Sequence, residues 1–561
     1  MTNRIAFLSG CLIVSLLAFL RAASPATGEA LPVVSVTGGS IRGTFDPSLP
    51  GGGVFKGIPF AQPPVKDLRW REPQPVQAWQ GIRDATQSSA SCIQPSLGTG
   101  GFLKPLAERY GAMYKAAPID ISEDCLYLNV WTPNWPVKNP VPVMFWIHGG
   151  SNVIGSGGEN TYDGAALARK GVVVVTINYR LGVFGFFAHP ELTRESPHHA
   201  SGNYGILDQI AALEWVRENI ARFGGDPKRV TVFGESAGSI DAGMLLCSPL
   251  AAGLLQRVIL ESGPVVSLAQ PAPLDEGERF GESVAHALGS PGDLRKLRES
   301  PPESVIKAAG EAAARSRDPG FVLDGWSLRE SPAKIFAEGR QLPVDMMIGN
   351  NGREISVFRG ASSSGSAVLG GDSVKETIRM FYGGATPVVT GLFLIDSALH
   401  RTEAADSWIN DVICACPEMA MALLQAGNGH PAYVYQFLRS IPGKGQKTLG
   451  SFHSLELPYV FAGFRKPSWS WLPFEPLDFA LGESMQSYWT NFAKTGNPNG
   501  LNLPNWPSFD ASSQTAMEFT QQGKAQARMH SRPAFCDLDV SALKSRMQQS
   551  PREHQGSQAP K

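Results

Sequence analysis

The segment Arg229-Val230-Thr231-Val232-Phe233-Gly234-Glu235-Ser236-Ala237-Gly238 constrains this chain more than any other. A β-branched run enters a Gly-x-Ser-x-Gly turn and a helix-forming stretch leaves it, so the backbone passes from strand to helix within a few residues. A turn that tight strains its central residue and crowds both neighbours, and glycine flanks it because glycine has no Cβ to clash. Ser236 is then lifted clear of a sheet as an exposed hydroxyl. With 60 glycines in 561 residues the bare pattern is weak, and the strand before it and the helix after it are what give it weight.

The surrounding sequence alternates in the same way. Residues 141–147 and 172–177 are near-continuous apolar runs, as expected of strands buried on both faces of a mainly parallel sheet. Ile206, Ile210, Leu213, Val216 and Ile220 keep helical spacing, and Gly224-Gly225-Asp226-Pro227 predicts where that helix stops. A strand at 230–233, a helix from the serine turn to Cys247, and strands at 257–260, 344–348 and 432–437 complete an α/β pattern. The expected architecture is a large, mostly parallel central sheet flanked by helices. Residues 33–43 and 52–60 read as short strands with glycine turns, an antiparallel N-terminal lead-in. No repeat, low-complexity linker or composition break divides the middle, so residues 31–545 read as one domain. The serine- and glycine-rich 360–371 segment reads as a mobile loop, and the polar, aperiodic tail 546–561 as disordered.

A formal net charge of −1 leaves no basic stripe for nucleic acid and no polybasic patch for anionic lipid. At the N-terminus Arg4 precedes an apolar run over 5–20, Arg21 closes it, and Ala22-Ala23-Ser24-Pro25-Ala26 follows. Residues 1–30 therefore read as an export signal, since the run falls short of the roughly 20 apolar residues that a bilayer span needs. The expectation is a secreted or periplasmic protein with no stable membrane span after cleavage. Of seven cysteines, Cys11 lies in the signal and Cys247 in an apolar helix, where it reads as a buried free thiol. Cys92, Cys125, Cys414, Cys416 and Cys536 suffice for two bridges with one thiol over, and spacing alone leaves the pairing open.

A serine hydroxyl is a poor nucleophile at neutral pH, so chemistry through Ser236 needs a base and donors for the oxyanion that forms. The 141–147 strand ends in His148-Gly149-Gly150-Ser151-Asn152, a glycine turn able to aim backbone N–H groups at one point. With the N–H of Ala237 at a helix N-terminus it would form an oxyanion hole. Among ten histidines, His148 lies inside that turn and reads as structural, and His453 precedes an apolar helix start. His189, His198, His199, His286, His400, His430, His530 and His554 read as solvated. The chain order nucleophile, acid, histidine expected for this turn favours His453, the latest of the non-solvated set. For the acid, Glu354 follows a strand at its C-terminal end, where α/β sheets place their sites; Asp324, Asp345 and Asp396 stay open.

Several separated motifs resemble the type-B carboxylesterases, the α/β-hydrolase family that includes cholinesterases, from about residue 33 to residue 537. Gly57-Ile58-Pro59-Phe60-Ala61-Gln62-Pro63-Pro64 with Leu68-Arg69-Trp70, and Glu123-Asp124-Cys125-Leu126-Tyr127-Leu128-Asn129, are similar to two of its signatures. Gly202-Asn203-Tyr204-Gly205-Ile206-Leu207-Asp208-Gln209, the serine turn and His453-Ser454-Leu455-Glu456-Leu457-Pro458-Tyr459 are similar to three more. Its acid motif, Gly-x-Asn-x-Asp-Glu-Gly, is matched loosely by 349–355, with Glu354 at the acid position. The resemblance implies an α/β-hydrolase fold and a serine hydrolase that cleaves small-molecule carboxylic esters through an acyl-enzyme. It implies a triad of Ser236, Glu354 and His453, an oxyanion hole of Gly150, Ser151 and Ala237, and no metal or cofactor. It also implies bridges Cys92 with Cys125 and Cys416 with Cys536, leaving Cys414 free. Amide, thioester or lactone cleavage by the same machinery, or a non-catalytic binding module, are the alternatives.

The chain departs from the family at three places. Ser151-Asn152 stands where a third glycine and an aromatic are usual, Arg353 and Ile355 replace Asp and Gly, and the 92–125 loop lacks a tryptophan. The last argues against choline esters, whose cation would stack on that ring. Phe102, Tyr110 and Tyr114 suggest an aromatic pocket lining, with Lys104, Arg109 and Lys115 as solvated surface.

Overall fold

The apolar runs become the middle of a ten-stranded sheet. In chain order its strands are β1 (Gly53–Pro59), β2 (Tyr127–Thr132), β3 (Val141–Ile147), β4 (Val173–Ile177), β5 (Gly225–Glu235), β6 (Arg257–Glu261), β7 (Asp345–Asn351), β8 (Ala432–Phe437), β9 (Thr515–Phe519) and β10 (Ala525–Met529). Across the sheet they lie in the order β10-β9-β8-β7-β6-β5-β3-β4-β2-β1. From β9 to β4 every pairing is parallel. The two edges are antiparallel, β10 against β9 on one side and β2 against both β4 and β1 on the other. This is the α/β-hydrolase arrangement that the sequence predicts.

The computed structural model describes residues 30–96, 103–116, 119–358, 386–400, 408–529 and 536. Residues 1–29 of the expected signal, the 360–371 loop and the 546–561 tail lie outside them. The chain divides into two units, Met1–Leu31 and Pro32–Lys561, and the architecture here is that of the second.

Strand alternation explains why the runs are apolar throughout. In β3, Val143, Phe145 and Ile147 enter one buried cluster and Met144 and Trp146 the other, so each face of the strand meets a core. β4 divides likewise, Val173, Val175 and Ile177 against Val174. The expected helix forms over Tyr204–Asn219 and tightens into a 3-10 turn at Ile220–Phe223. Gly224 then adopts φ 84°, the left-handed conformation that ends a helix at little cost for glycine. The helix lays Ile206, Ile210, Leu213, Val216 and Ile220 into the first cluster.

The antiparallel lead-in is present. Val33–Val36 and Gly39–Arg42 pair antiparallel, Ile82–Asp84 adds a strand parallel to Gly39–Arg42, and residues 53–59 form an antiparallel edge of the central sheet. Cys92 is bonded to Cys125 and Cys416 to Cys536; Cys247 and Cys414 are buried free thiols. Among the described residues no helix is long and apolar enough to cross a membrane.

One buried ion pair ties the sheet to that helix. Arg180, just after β4, donates from Nε and Nη2 to Asp208 Oδ2 and Oδ1 at 2.8 and 2.7 Å. The side chains are 4 % and 0 % exposed. Burial raises the Asp208 pKa and Arg180 works against that shift. Removing one partner strands the other charge in the core, so Arg180→Met is expected to lower unfolding free energy by about 3–5 kcal/mol, read by urea denaturation.

Candidate active site

Every element of the site leaves the C-terminal edge of the parallel strands. Gly234 in β5 is paired with Ile147 in β3, so the serine turn and the 148–152 turn emerge side by side. The steric case for the flanking glycines is explicit. A Cβ on Gly238 would lie 2.1 Å from Ile147 O, and one on Gly234 would lie 2.4 Å from Gly238 O. Between them Ser236 takes φ 56°, ψ −122°, a strained conformation for a residue with a side chain. Its N–H donates to Glu261 O at 2.8 Å, and the helix Ala237–Cys247 starts immediately after it.

The adjoining turn is equally close. A Cβ on Gly149 would lie 3.1 Å from Ser236 Cβ and 2.8 Å from Glu235 O, which leaves room only for glycine beside the serine. Gly150, Ser151 and Asn152 all have positive φ, at 107°, 59° and 58°. Among the described residues no protein backbone acceptor takes the N–H of Gly150, Ser151 or Ala237. His148 is fully buried; its Nδ1 lies 2.8 Å from Gly149 O and its ring stacks on Tyr179. Burial pushes its pKa down to about 4, so it is neutral and structural, as the sequence suggests.

Glu354 opens the 3-10 turn Glu354–Val357 directly after β7. His453 lies in the loop between β8 and the helix Leu457–Val460. The two turns are laced together: Arg353 N–H donates to Ser451 O at 2.9 Å, and Asn351 Nδ2 to Phe452 O at 2.8 Å. This brings His453 Nδ1 to 2.5 Å from Glu354 Oε2, while Glu354 Oε1 accepts from Asn351 N at 2.5 Å. The unusual Arg353 does not displace the acid. Its guanidinium Nη1 reaches Lys447 O at 2.8 Å, tying the acid turn to the histidine loop.

The ring's other nitrogen meets a second carboxylate. His453 Nε2 lies 3.2 Å from Glu235 Oε1, an oxygen that also accepts from Ser454 Oγ at 2.6 Å. Glu235 immediately precedes Ser236, so the ring is directed at the serine turn. Burial alone would lower the His453 pKa, but the charges of Glu235 and Glu354 outweigh it and raise it to about 9. Burial in turn raises Glu235.

The other acid candidates sit elsewhere. Asp324 is bonded to Asn203 and Ser327, Asp345 lies beside Arg257, and the Asp396 side chain is outside the described residues. His189 proves buried at 2 % exposure; its Nδ1 caps a helix by accepting from Glu191 N at 3.2 Å. Tyr110 is buried, and its hydroxyl donates to Ile441 O at 3.1 Å. Arg109 is no free surface cation, because its Nη1 donates to Ser356 O at 3.0 Å. Phe102 lies outside the described residues. Reading the sequence missed Glu235, Ser454 and Asn351. Glu235 had a visible signal, an acid inside the serine motif; the other two act only through contacts that the fold creates.

A strained serine turn on a parallel sheet, with a buried glutamate–histidine pair directed at it, is the arrangement of a serine hydrolase with the α/β-hydrolase fold. The Carboxylesterase family profile matches residues 30–538. The chain belongs to that family and is a carboxylic ester hydrolase. It is 37% identical over 474 residues to the fumonisin B1 esterase of Sphingopyxis macrogoltabida, covering 81% of this chain and 81% of that one. With the para-nitrobenzyl esterase of Bacillus subtilis (strain 168) it shares 35% identity over 491 residues, 85% of this chain and 92% of the other. A solved carboxylesterase of Geobacillus stearothermophilus superposes with a TM-score of 0.75 at 32% identity, covering 90% of this chain and 99% of that one.

The two carboxylates around His453 make a measurable statement about its proton. In Glu235→Gln the imidazole loses one stabilising charge, so its pKa is expected to fall from about 9, whereas the native ring holds its proton above the ordinary value near ~6.5. Titration of the His453 ring by NMR in both proteins checks this; equal pKa values would contradict the electrostatic account.

Proposed function

We propose that Ser236 is the nucleophile, His453 the general base and Glu354 the acid that orients it. The N–H groups of Gly150, Ser151 and Ala237 hold the oxyanion. The observation that carries this reading is the 2.5 Å contact of His453 Nδ1 with Glu354 Oε2, with Nε2 turned toward the residue before Ser236. With Nδ1–H held by the carboxylate, Nε2 is the atom that accepts a proton once the ring is neutral. Substrate docking would let Nε2 exchange its Glu235 contact for Ser236 Oγ, since catalytic hydrogen bonds are commonly loose before substrate binds.

Ser236 Oγ then attacks the ester carbonyl and its proton passes to His453. The tetrahedral oxyanion is held by the three N–H donors until the alcohol leaves, taking the proton from His453. Water repeats the attack on the acyl-enzyme and returns free acid and serine. The Glu354 carboxylate stabilises the imidazolium formed in each half-reaction. Glu235, close to Nε2, favours the same charged state, which aids formation of the imidazolium but holds back the neutral base.

Small-molecule carboxylic esters are the substrate class. The names of the two relatives supply the first compounds to test, a p-nitrobenzyl ester and fumonisin B1. Residues 1–30 act as an export signal and the 31–545 domain works in the periplasm or outside the cell, a setting that suits its two disulfides.

Ser236→Ala is expected to lower kcat for a p-nitrophenyl ester about 10⁴-fold or more. Turnover that survives the substitution would overturn the assignment. Because the base must be neutral, the acidic limb of kcat/KM against pH is expected above the free-imidazole value near ~6.5. Glu235→Gln is expected to move that limb to lower pH.

A further inference from the structure

The two halves of the proposed oxyanion hole come from different elements. Gly150 and Ser151 lie on the turn after β3, and Ala237 begins the helix Ala237–Cys247. Their relative placement therefore depends on whatever joins turn to helix. Asn152, which stands where the family carries an aromatic, makes that join. Its Nδ2 donates to Asp241 Oδ1 at 2.9 Å, and Asp241 lies on the helix. Asp241 Oδ2 accepts from Gln209 Nε2 at 2.6 Å. On the other side, the Tyr179 hydroxyl lies 2.9 Å from Asn152 Oδ1 and 2.8 Å from His148 O, the carbonyl that precedes the turn. Asp241, Gln209 and Tyr179 are all buried, and Asn152 is partly buried above them.

The turn also needs holding. Ser151 and Asn152 are consecutive non-glycine residues in the left-handed region, where asparagine is tolerated better than most side chains. Among the described residues their backbone is bonded at its ends: Gly150 O accepts from Val153 N and Ile154 N at 3.0 Å, and Asn152 O from Gly182 N at 2.6 Å. Past the glycine junction, the Asn152 side chain ties this stretch to the helix through Asp241 and to Tyr179 on the other side. An aromatic at this position would fill space by contact alone, whereas an amide locked between a carboxylate and a hydroxyl fixes distance and direction.

We propose that Asn152 and Asp241 are positioning residues that hold the 150–151 N–H groups in register with the Ala237 N–H. The inference rests on the oxyanion assignment of the proposed function and adds the device that aligns it. Donors must sit about 2.7–3.1 Å from the oxyanion, so a small shift of one half weakens stabilisation of the transition state and leaves substrate binding nearly untouched.

The test uses the full chain, p-nitrophenyl acetate, and three variants: Asn152→Ala, Asp241→Asn, and the exchange Asn152→Asp with Asp241→Asn. In the exchange an amide at 241 donates to a carboxylate at 152 and accepts from Gln209, while Tyr179 keeps an acceptor, so the 152–241 bond is re-formed with donor and acceptor reversed and the other two keep their direction. The single variants are expected to lose about 10- to 100-fold in kcat with KM within about threefold, and the exchange to recover most of the loss. A merely structural role would lower the thermal midpoint without that split. If Asn152→Ala does not fold, the isosteric Asp241→Asn carries the test. Native kcat in a folded single variant, or an exchange no better than the worse single variant, overturns the proposal. Turnover that survives Ser236→Ala overturns the serine reading and this inference together. Turnover that needs Ser236 but ignores Asp241 overturns this inference alone.

Discussion

The structure depends on a contact that only glycine permits. Gly238 packs against the carbonyl of Ile147 so closely that any Cβ would fall 2.1 Å from that oxygen, and Gly234 meets Gly238 in the same way. The serine strand, the helix after it and the end of the neighbouring strand are thereby pressed into one junction. Ser236 inherits its strained backbone from this packing, and Gly149 comes within reach of its Cβ for the same reason. A turn with ordinary residues would push the helix away from β3 and separate the 148–152 turn from Ser236. Strain at one residue is sustained because the buried sheet on either side over-determines it.

Around that junction the protein concentrates buried charge. His453 lies between Glu354 and Glu235, and Asn351 reaches from β7 to Glu456 as well as to the histidine loop. Such groups are costly to desolvate without partners, and here most of them find one across a turn rather than within an element. The Glu354 turn and the His453 loop are thus fastened to each other. Arg353 belongs to the same fastening: a departure from the family pattern that looks disruptive in the acid motif instead holds the loop that carries His453.

The legibility of the sequence followed local physics. β3, β4 and the Tyr204–Asn219 helix were readable because an unbroken apolar run or a helical period reports burial directly. β9 and β10 were not, because Thr515–Phe519 and Ala525–Met529 are short and polar enough to pass for loop; their role as the sheet's antiparallel edge comes from their neighbours. His189 misled in the same way. Its polar surroundings in sequence suggested solvent, whereas the fold buries it as a helix cap.

The sequence by itself determined the serine turn, the chain order of candidate acid and histidine, the mainly parallel sheet and, through resemblance, the cysteine pairing. Each rests on steric or periodic rules that act over a few residues, or on motifs that can be compared directly. Only the tertiary structure decided that His453 sits between two carboxylates, that Arg353 braces its loop, and that Asn152 reaches Asp241 beneath the 148–152 turn. Those contacts join residues 89 to 219 positions apart, as Asn152 to Asp241 and Glu235 to Ser454 illustrate. No local pattern encodes such a meeting, because it follows from where the sheet sets the strand ends and how tightly the glycine junction draws the turns together.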